Sequence, residues 1–487
     1  MKKRFSFLAR ALLLLLVIPI ISGCAAIPVS DQELSHIGGE VTASMIAEYG
    51  VYRDEKVDSY VNSVGKRVEA GSGYQGEPIE FVVLDTPIIN AFSVPGGHIF
   101  VTRGLLARVN SESELAFVLG HEIGHLTAKH VASRISQLET SNIFSSLLGT
   151  FIGMYSKDQQ LGNLVANIVD FSSILVILNY GRDAEFQADS LGLKYAYDSN
   201  YNPLTADKFL ATLKLMEESK GERSSLTDLL ATHPPTDERV KRSEEEAQEL
   251  AAVSPGKVRT LDIRRDNYLG RINGLVLGDS LDSGFEKDGT YYNKKYLFVY
   301  KQPDGWKMQN ARSYLAAVYQ DQNNVFFVYA SIESSARPID AYAAAFLRQA
   351  YDDQKLEPEF KATSFLDLPA FEYYRSKTKN VHALFFKRAQ TDYALVYSYV
   401  PAGFADHDSL FNQLTKNFSF MADDAAKGIS EDSIKIYKAA PKDTWANISV
   451  KFYGDPQYKT KLMKYNGIDI EVRSQDVLKV PPIKYFD

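Results

Sequence analysis

The sequence predicts a multidomain α+β protein. At 487 residues the chain exceeds what one hydrophobic core usually supports, so two or three folded domains are expected. Apolar residues recur at helical spacing up to about residue 250, whereas residues 257–421 contain several runs rich in β-branched and aromatic side chains. The net charge of −7 implies no strongly basic surface, so we expect no nucleic-acid partner.

Residues 1–24 have the pattern of a signal peptide. A basic start is followed by "ALLLLLVIPI", an apolar run shorter than a membrane span. The segment ends in "ISGC", which resembles the bacterial lipobox, so Cys24 is the expected lipidation site. Cys24 is also the only cysteine of the chain, and it therefore cannot form an intrachain disulfide. We expect an exported lipoprotein that faces the periplasm, anchored in the outer membrane; an uncleaved N-terminal anchor is the alternative.

Three domains are expected after the signal peptide: residues 25–252, 257–425 and 432–487. The first is mainly helical, with one strand-like block at residues 79–106 that a Pro-Gly-Gly turn interrupts. The second has the pattern of an α+β domain without a constellation of catalytic groups, and its role stays open.

The last region resembles a LysM module. The motifs match in order and spacing, and they are Asp443-Thr444, Tyr453-Gly454-Asp455, Asn466-Gly467 and the closing strand up to Pro481. Lys442 stands where glycine is usual in that family. The resemblance implies a βααβ fold, and it leaves open whether the module binds peptidoglycan or serves as a structural cap.

The decapeptide "HEIGHLTAKH" (residues 121–130) carries the strongest chemical signal. On a helix, His121 and His125 share one face, and Glu122 lies beside them, which gives two metal ligands and a general base. His130 would be rotated by roughly half a turn on a continuous helix, so we interpret it as a packing or hydrogen-bonding residue. Two surface histidines are the alternative, but the apolar surroundings "ELAFVL" disfavour it.

Catalytic zinc usually has three protein ligands, so a third is expected on another helix. The segment "NYGRDAEFQADSLG" offers Glu185 and Asp189, which are spaced to project from one helical face. Glu185 is the candidate ligand, and Asp189 could orient a zinc-bound histidine through its second ring nitrogen. Two carboxylates on a solvated helix face are the alternative. One Zn²⁺ per chain is expected.

Four motifs together resemble one family, the CAAX-prenyl-protease-related (Ste/HtpX-like) zinc metallopeptidases. They span residues ~35 to ~245 and are "NAFSVPGGHIFVTRGLL", "ELAFVLGHEIGHLTAKH", "GRDAEFQADSLG" and "ATHPPTDERV". The resemblance is greatest to the secreted, periplasmic branch, which includes the β-barrel-assembly-enhancing proteases. It implies a gluzincin fold, with His121, His125 and Glu185 as zinc ligands and Glu122 as base. It also implies an edge strand within residues 91–103, on which an extended peptide would pair.

The resemblance assigns two further residues. His233 would lie near the zinc, as a reversible extra ligand or as a donor to the transition-state oxyanion; an exposed loop histidine is the alternative. Arg182 resembles an arginine near the family's active site, although Gly181 replaces the usual serine before it. Residues 141–180 are interpreted as a hydrophobic lid over the cleft, and a surface that dips into the membrane is the alternative.

These observations predict a lipid-anchored zinc endopeptidase of the bacterial cell envelope. Its expected substrates are unfolded or misassembled envelope proteins, an inference from the family alone. A second hypothesis is a latent protease that acts mainly as an envelope chaperone or scaffold, through partners or peptidoglycan. A third is a cell-wall-binding lipoprotein whose zinc site is only structural.

Overall fold

The computed structural model describes residues 30–139, 180–218, 232–311 (except 235), 314–319, 324–332, 337–350, 355–375, 380–400, 406–422, 428–468 and 470–486. The expected signal peptide and lipobox lie outside these residues, as does the expected lid except for its last residue, Tyr180. Within the described part of the chain, no helix is both long and apolar enough to cross a membrane.

The N-terminal part is mainly helical around a three-stranded sheet. Its helices are α1 (Asp31–Tyr49), α2 (Glu55–Ser72), α3 (Arg103–Arg108), α4 (Glu112–Thr127), α5 (His130–Glu139), α6 (Arg182–Asp198), α7 (Ala206–Glu218), α8 (Asp237–Val253), α9 (Pro255–Thr260) and α10 (Arg265–Arg271). The sheet consists of β1 (Glu80–Leu84), β2 (Ala91–Val94) and β3 (His98–Thr102). Strand β3 lies in the centre, parallel to β1 and antiparallel to β2, so β2 is an edge strand.

Helix α4 lies inside the hydrophobic core. Ser111 caps its N-terminus by accepting from the backbone N–H of Glu114, and every residue from 112 to 125 is buried. The helix ends at Thr127 because Lys129 adopts a left-handed conformation (φ 55°), and α5 then begins at His130. The decapeptide therefore spans two helices, which differs from the continuous helix assumed from the sequence.

Two glycines bring α4 and α6 unusually close. A Cβ atom on Gly192 would lie 2.8 Å from the backbone nitrogen of His121, and one on Gly120 would lie 2.9 Å from the carbonyl oxygen of Gly192. Only residues without side chains permit this approach. The close contact places the carboxylates of α6 against the histidines of α4.

The middle part is built on two antiparallel sheets. Its strands are β4 (Val276–Leu277), β5 (Phe285–Lys287), β6 (Thr290–Asn293), β7 (Phe298–Lys301), β8 (Trp306–Ala311), β9 (Tyr314–Tyr319), β10 (Asn324–Ile332), β11 (Lys361–Phe365), β12 (Leu368–Arg375), β13 (Asn380–Arg388), β14 (Thr391–Tyr399) and β15 (Phe418–Phe420), with helices α11 (Ile339–Ala350) and α12 (His407–Lys416). The large sheet has the order β11-β12-β13-β14-β10-β9-β8, and the small one β15-β7-β6-β5. Helix α11 packs on one face of the large sheet, and α12 with the small sheet packs on the other.

The C-terminal part contains the pair β17 (Lys435–Lys438) and β18 (Val477–Val480), with α13 (Trp445–Tyr453) and α14 (Lys459–Tyr465) between them. A short strand β16 (Asp432–Ser433) precedes β17 and pairs with β4. This order of elements is the βααβ order that the sequence predicts, and the LysM assignment stays a prediction. The whole described chain is thus a mixed helix-and-sheet protein, as expected.

A buried lysine joins the C-terminal part to the helices of the N-terminal part. The Lys479 ammonium is fully buried and donates to the carbonyl oxygens of Ala107, Arg108 and Val109 at 3.0–3.1 Å. Burial holds the pKa of Lys479 well below its ordinary value. The hydrophobic core of the N-terminal part also extends beyond residue 252, to residues 268–277 and Ile434. The predicted domain boundaries stay predictions.

Candidate metal centre

Four buried side chains converge between α4, α6 and the segment before α8. They are His121, His125, Glu185 and His233, and one potential ligand atom of each lies within 4.8 Å of all the others. Among the described residues, this is the only such group of three or more metal-ligating side chains. The structure thus brings together the three residues predicted as ligands and His233, which the family resemblance implies near the zinc.

The donor atoms of this cluster face one another. Nε2 of His125 lies 3.0 Å from Nε2 of His121 and 3.4 Å from Oε1 of Glu185, and Nε2 of His121 lies 3.6 Å from Oε2 of Glu185. Two facing imidazole nitrogens cannot both be hydrogen-bond acceptors toward each other, because neither would then supply a proton. A cation between them and the carboxylate would interact favourably with all of these lone pairs. Two imidazoles and a carboxylate are a common ligand set for catalytic zinc, so these residues fit that metal.

Asp189 and Arg239 contact the candidate ligands on the side away from the centre of the cluster. Oδ1 of Asp189 lies 3.0 Å from Nδ1 of His121, on the side of the ring away from the cluster. Arg239 donates to both oxygens of Asp189 at 2.7 Å and lies 2.8 Å from Oε2 of Glu185. Burial alone would raise the pKa of the Glu185 carboxyl, but His233 and Arg239 hold it well below its ordinary value. Burial would likewise raise the pKa of the Asp189 carboxyl, but Arg239 holds it below its ordinary value.

His130 contacts a ligand without joining the cluster. Its Nδ1 lies 3.0 Å from Nδ1 of His125, and its Nε2 lies 3.1 Å from Oε1 of Gln187. It is therefore a hydrogen-bonding residue that touches the outer nitrogen of His125. The break at Lys129 brings it there, since a continuous helix would have turned it away.

Glu122 and His233 border a small pocket beside the cluster. Oε1 of Glu122 lies 3.7 Å from Nε2 of His233, while Oε2 of Glu122 and Nε2 of His233 are buried without a hydrogen-bond partner among the described residues. The pocket has a volume of about 30 Å³, which is large enough for a water molecule, and Ala91 of β2 also lines it. His233 is buried, unlike the exposed loop histidine that was the alternative.

The comparisons with known proteins match the segment that holds this cluster to a peptidase family. Residues 55–247 match the model described as peptidase family M48, and these residues include every member of the cluster. The chain carries an M48 peptidase domain. This match confirms the family predicted from the four motifs, and with it zinc as the metal, since M48 metallopeptidases use zinc.

Relatives of this M48 domain occur in bacteria and in mitochondria. The chain is 28% identical over 226 residues to the beta-barrel assembly-enhancing protease of Yersinia pestis, covering 45% of each chain. It is 29% identical over 215 residues to the mitochondrial metalloendopeptidase OMA1 of Arabidopsis thaliana, covering 44% of this chain and 41% of that protein. A putative beta-barrel assembly-enhancing protease of Vibrio cholerae is 28% identical over 258 residues, with 52% and 51% covered. The chain therefore spans about half the length of the curated relatives it matches.

Two residues of the M48 site were missed by the sequence reasoning, and one expected neighbour lies elsewhere. Arg239 lies within the quoted motif "ATHPPTDERV", and Tyr180 lies two residues before Arg182. No sequence spacing relates either residue to the histidines of the decapeptide, so the sequence offered no reason to select them. Arg182 itself is largely exposed, and its described contacts are with Asp183, Glu238 and the ring of Phe186. The guanidinium that touches the M48 cluster is that of Arg239.

Proposed function

We propose that this protein is a zinc-dependent endopeptidase of the bacterial cell envelope, anchored by a lipid on Cys24, that cleaves misfolded or stalled envelope proteins. The observation that carries the proposal is the buried cluster of His121, His125 and Glu185, with the unpaired carboxylate oxygen of Glu122 beside it. A purely structural zinc site has no need of a general base at that position.

The residues of the site have distinct parts in the proposed hydrolysis. His121, His125 and Glu185 would hold the zinc, which when bound supplies Lewis acidity toward the scissile carbonyl and the attacking water. Glu122 takes a proton from that water and passes it to the leaving amine, and its free Oε2 beside the water-sized pocket suits this task. Asp189 keeps the His121 ring in the tautomer whose Nε2 is a ligand.

His233 is placed to act in one of two ways. Its Nε2 borders the same pocket as Glu122 and has no hydrogen-bond partner, which supports donation to the oxyanion. Its Nδ1 lies 3.0 Å from Oε1 of Glu185 and 3.3 Å from Nε2 of His121. This position supports a role as a fourth zinc ligand that keeps the protease inactive. The second arrangement favours the alternative function, an envelope chaperone or scaffold with suppressed protease activity.

Strand β2 is the proposed docking strand for an extended substrate. It is the edge of the three-stranded sheet, and Ala91 in it lines the pocket that Glu122 borders. All four residues of β2 are buried, so a substrate would reach this edge only after the covering segments move. A peptide that pairs with such an edge gains backbone hydrogen bonds independent of its sequence, and this requires an unfolded segment. Misassembled envelope proteins expose such segments, and the names of the bacterial relatives concern the same setting. Periplasmic location, outer-membrane anchoring and peptidoglycan binding by residues 432–487 belong to this proposal.

Comparing Glu122→Gln with the unchanged chain tests the proposal. Both full-length proteins are incubated with a fluorescently labelled, chemically unfolded protein, and the bound zinc of each is measured. We expect one zinc per chain in both, and cleavage by the unchanged chain alone. Glu245→Gln, on the exposed face of α8, makes the same carboxylate-to-amide change away from the site and should cleave normally. Equal cleavage by the Glu122→Gln chain, or no zinc in either chain, refutes the proposal.

The lipid anchor is tested separately. Cells expressing the unchanged chain should incorporate a labelled fatty acid into the protein, and cells expressing Cys24→Ser should not. Label in the Cys24→Ser chain would contradict anchoring at this residue.

A further inference from the structure

Tyr180 lies at the metal centre, just before helix α6. Its ring stacks on that of His125, with the centroids 4.0 Å apart and an angle of 23° between the planes, and it lies 6.0 Å from the ring of His233. The side chain is buried. Packing against a ligand would by itself explain an aromatic ring here, and phenylalanine would serve that purpose equally well.

The hydroxyl of Tyr180 distinguishes it from such a packing residue. It is buried and makes no hydrogen bond of ordinary geometry within the described part of the chain, and the same holds for the hydroxyl of Ser93, which it faces. Ser93 belongs to the edge strand β2. Buried hydroxyls without partners are rare because their desolvation is costly, so each one calls for an explanation. Here two such hydroxyls face each other, one on the ring that stacks on the ligand His125 and one on the strand along which a substrate would pair.

The position of Tyr180 places its phenol close to the reacting atoms. Its ring lies 4.0 Å from that of the ligand His125 and 6.0 Å from that of His233, which borders the pocket at Glu122. A phenol O–H is a hydrogen-bond donor.

We propose that Tyr180 is a catalytic residue whose hydroxyl donates a hydrogen bond to the carbonyl oxygen of the peptide bond under attack. The inference rests on the proposed endopeptidase function and adds a donor to it. Ser93, which faces Tyr180, and Ala91, which lines the pocket at Glu122, both belong to β2, so a peptide paired with this strand would lie near both. A hydrogen bond that strengthens as the oxygen becomes negative accelerates the reaction more than it tightens substrate binding.

Tyr180→Phe tests this inference because it keeps the ring and removes only the hydroxyl. The measurements are kcat and KM on an unfolded peptide, zinc content, melting temperature, and the affinity of the zinc-loaded protein for a phosphinic peptide, whose tetrahedral phosphorus resembles the transition state. Tyr300→Phe is the matched control, since its hydroxyl is also buried without a partner but lies in the middle part of the chain.

We expect Tyr180→Phe to lower kcat about 10²-fold, as loss of one oxyanion donor does, and to weaken phosphinic peptide binding by a similar factor. KM, zinc content and melting temperature should match those of Tyr300→Phe. Unchanged kcat and unchanged phosphinic peptide affinity would overturn the inference and leave Tyr180 as a packing residue.

Failure of the proposed function gives a different pattern. If the unchanged chain cleaves no better than Glu122→Gln, the function fails, and phosphinic peptide binding alone then decides the role of Tyr180. A phosphinic peptide that binds neither the unchanged chain nor Tyr180→Phe overturns both proposals.

Discussion

Replacing Asp189 by asparagine should weaken zinc binding without removing a ligand. Oδ1 of Asp189 lies 3.0 Å from Nδ1 of His121 and accepts from Nη2 of Arg239 at 2.7 Å, while Oδ2 accepts from Nε of Arg239 at 2.7 Å. All three partners require an acceptor. An asparagine side chain has one NH₂ group, and in either orientation it would face at least one donor of Arg239 or His121.

The size of the effect follows from the role of the second nitrogen of a zinc-bound histidine. Loss of its acceptor leaves the His121 tautomer unfixed, and comparable changes cost 10–100-fold in metal affinity. That corresponds to about 1.4–2.7 kcal/mol of binding free energy. Asp183→Asn is the matched control, because it makes the same change on helix α6 at a side chain that is 97% exposed.

A competition titration against a chromophoric zinc chelator measures the dissociation constant of each protein. The Asp189→Asn chain should bind one zinc 10–100 times more weakly than the unchanged chain, and Asp183→Asn should bind it equally well. Circular dichroism shows whether the fold is retained. An Asp189→Asn chain that is folded and binds zinc as tightly as the unchanged protein would refute the role assigned to Asp189.

Three further predictions concern stability. Lys479→Ala removes the donor to three buried carbonyls, so chemical denaturation should show a loss of at least ~3 kcal/mol, counting about 1 kcal/mol for each; an unchanged midpoint would contradict this. Gly192→Ala would place a Cβ 2.8 Å from the His121 nitrogen, so the unfolding free energy should fall by about 1–3 kcal/mol, whereas Gly181→Ala, with open space around it, should be nearly neutral. The third concerns pH: burial alone would raise the pKa of Glu112, but hydrogen bonds from Arg264, Tyr60 and Asn267 lower it. Its ionised form therefore stabilises the fold above the unfolded-state pKa, and this contribution is lost as the pH falls below about 4.5 through the folded-state pKa. Unfolding curves across this range should be less pH-dependent for Glu112→Gln, and equal slopes would count against this ion pair.

The sequence was informative where function depends on local spacing. His121 and His125 are one helical turn apart, as are Glu185 and Asp189, and the helical period alone predicts that each pair shares a face. The mixed helix-and-sheet class also follows from the apolar periodicity. These features need no knowledge of how distant segments meet.

The remaining features depend on contacts between distant segments. Arg239 lies 50 residues after Asp189 and meets it only because α6 and α8 pack together. Tyr180 and Ser93 come from separate segments, and a tyrosine at the end of an apolar run gives no sign of an unpaired hydroxyl. Lys479 has the residue type expected at the surface, yet it is buried by contact with carbonyls some 370 residues earlier. The helix break at Lys129 likewise depends on one backbone angle that no motif specifies.

A zinc titration of the metal-free protein tests the central claim most directly. Zinc is added stepwise, and bound metal and cleavage of the unfolded substrate are measured in the same samples, for the unchanged chain and for Glu122→Gln. We predict that activity of the unchanged chain rises in proportion to bound zinc and levels off at one ion per chain, while Glu122→Gln binds the same single ion and stays inactive. Cleavage that does not depend on bound zinc, or that survives the loss of the Glu122 carboxylate, would contradict the account.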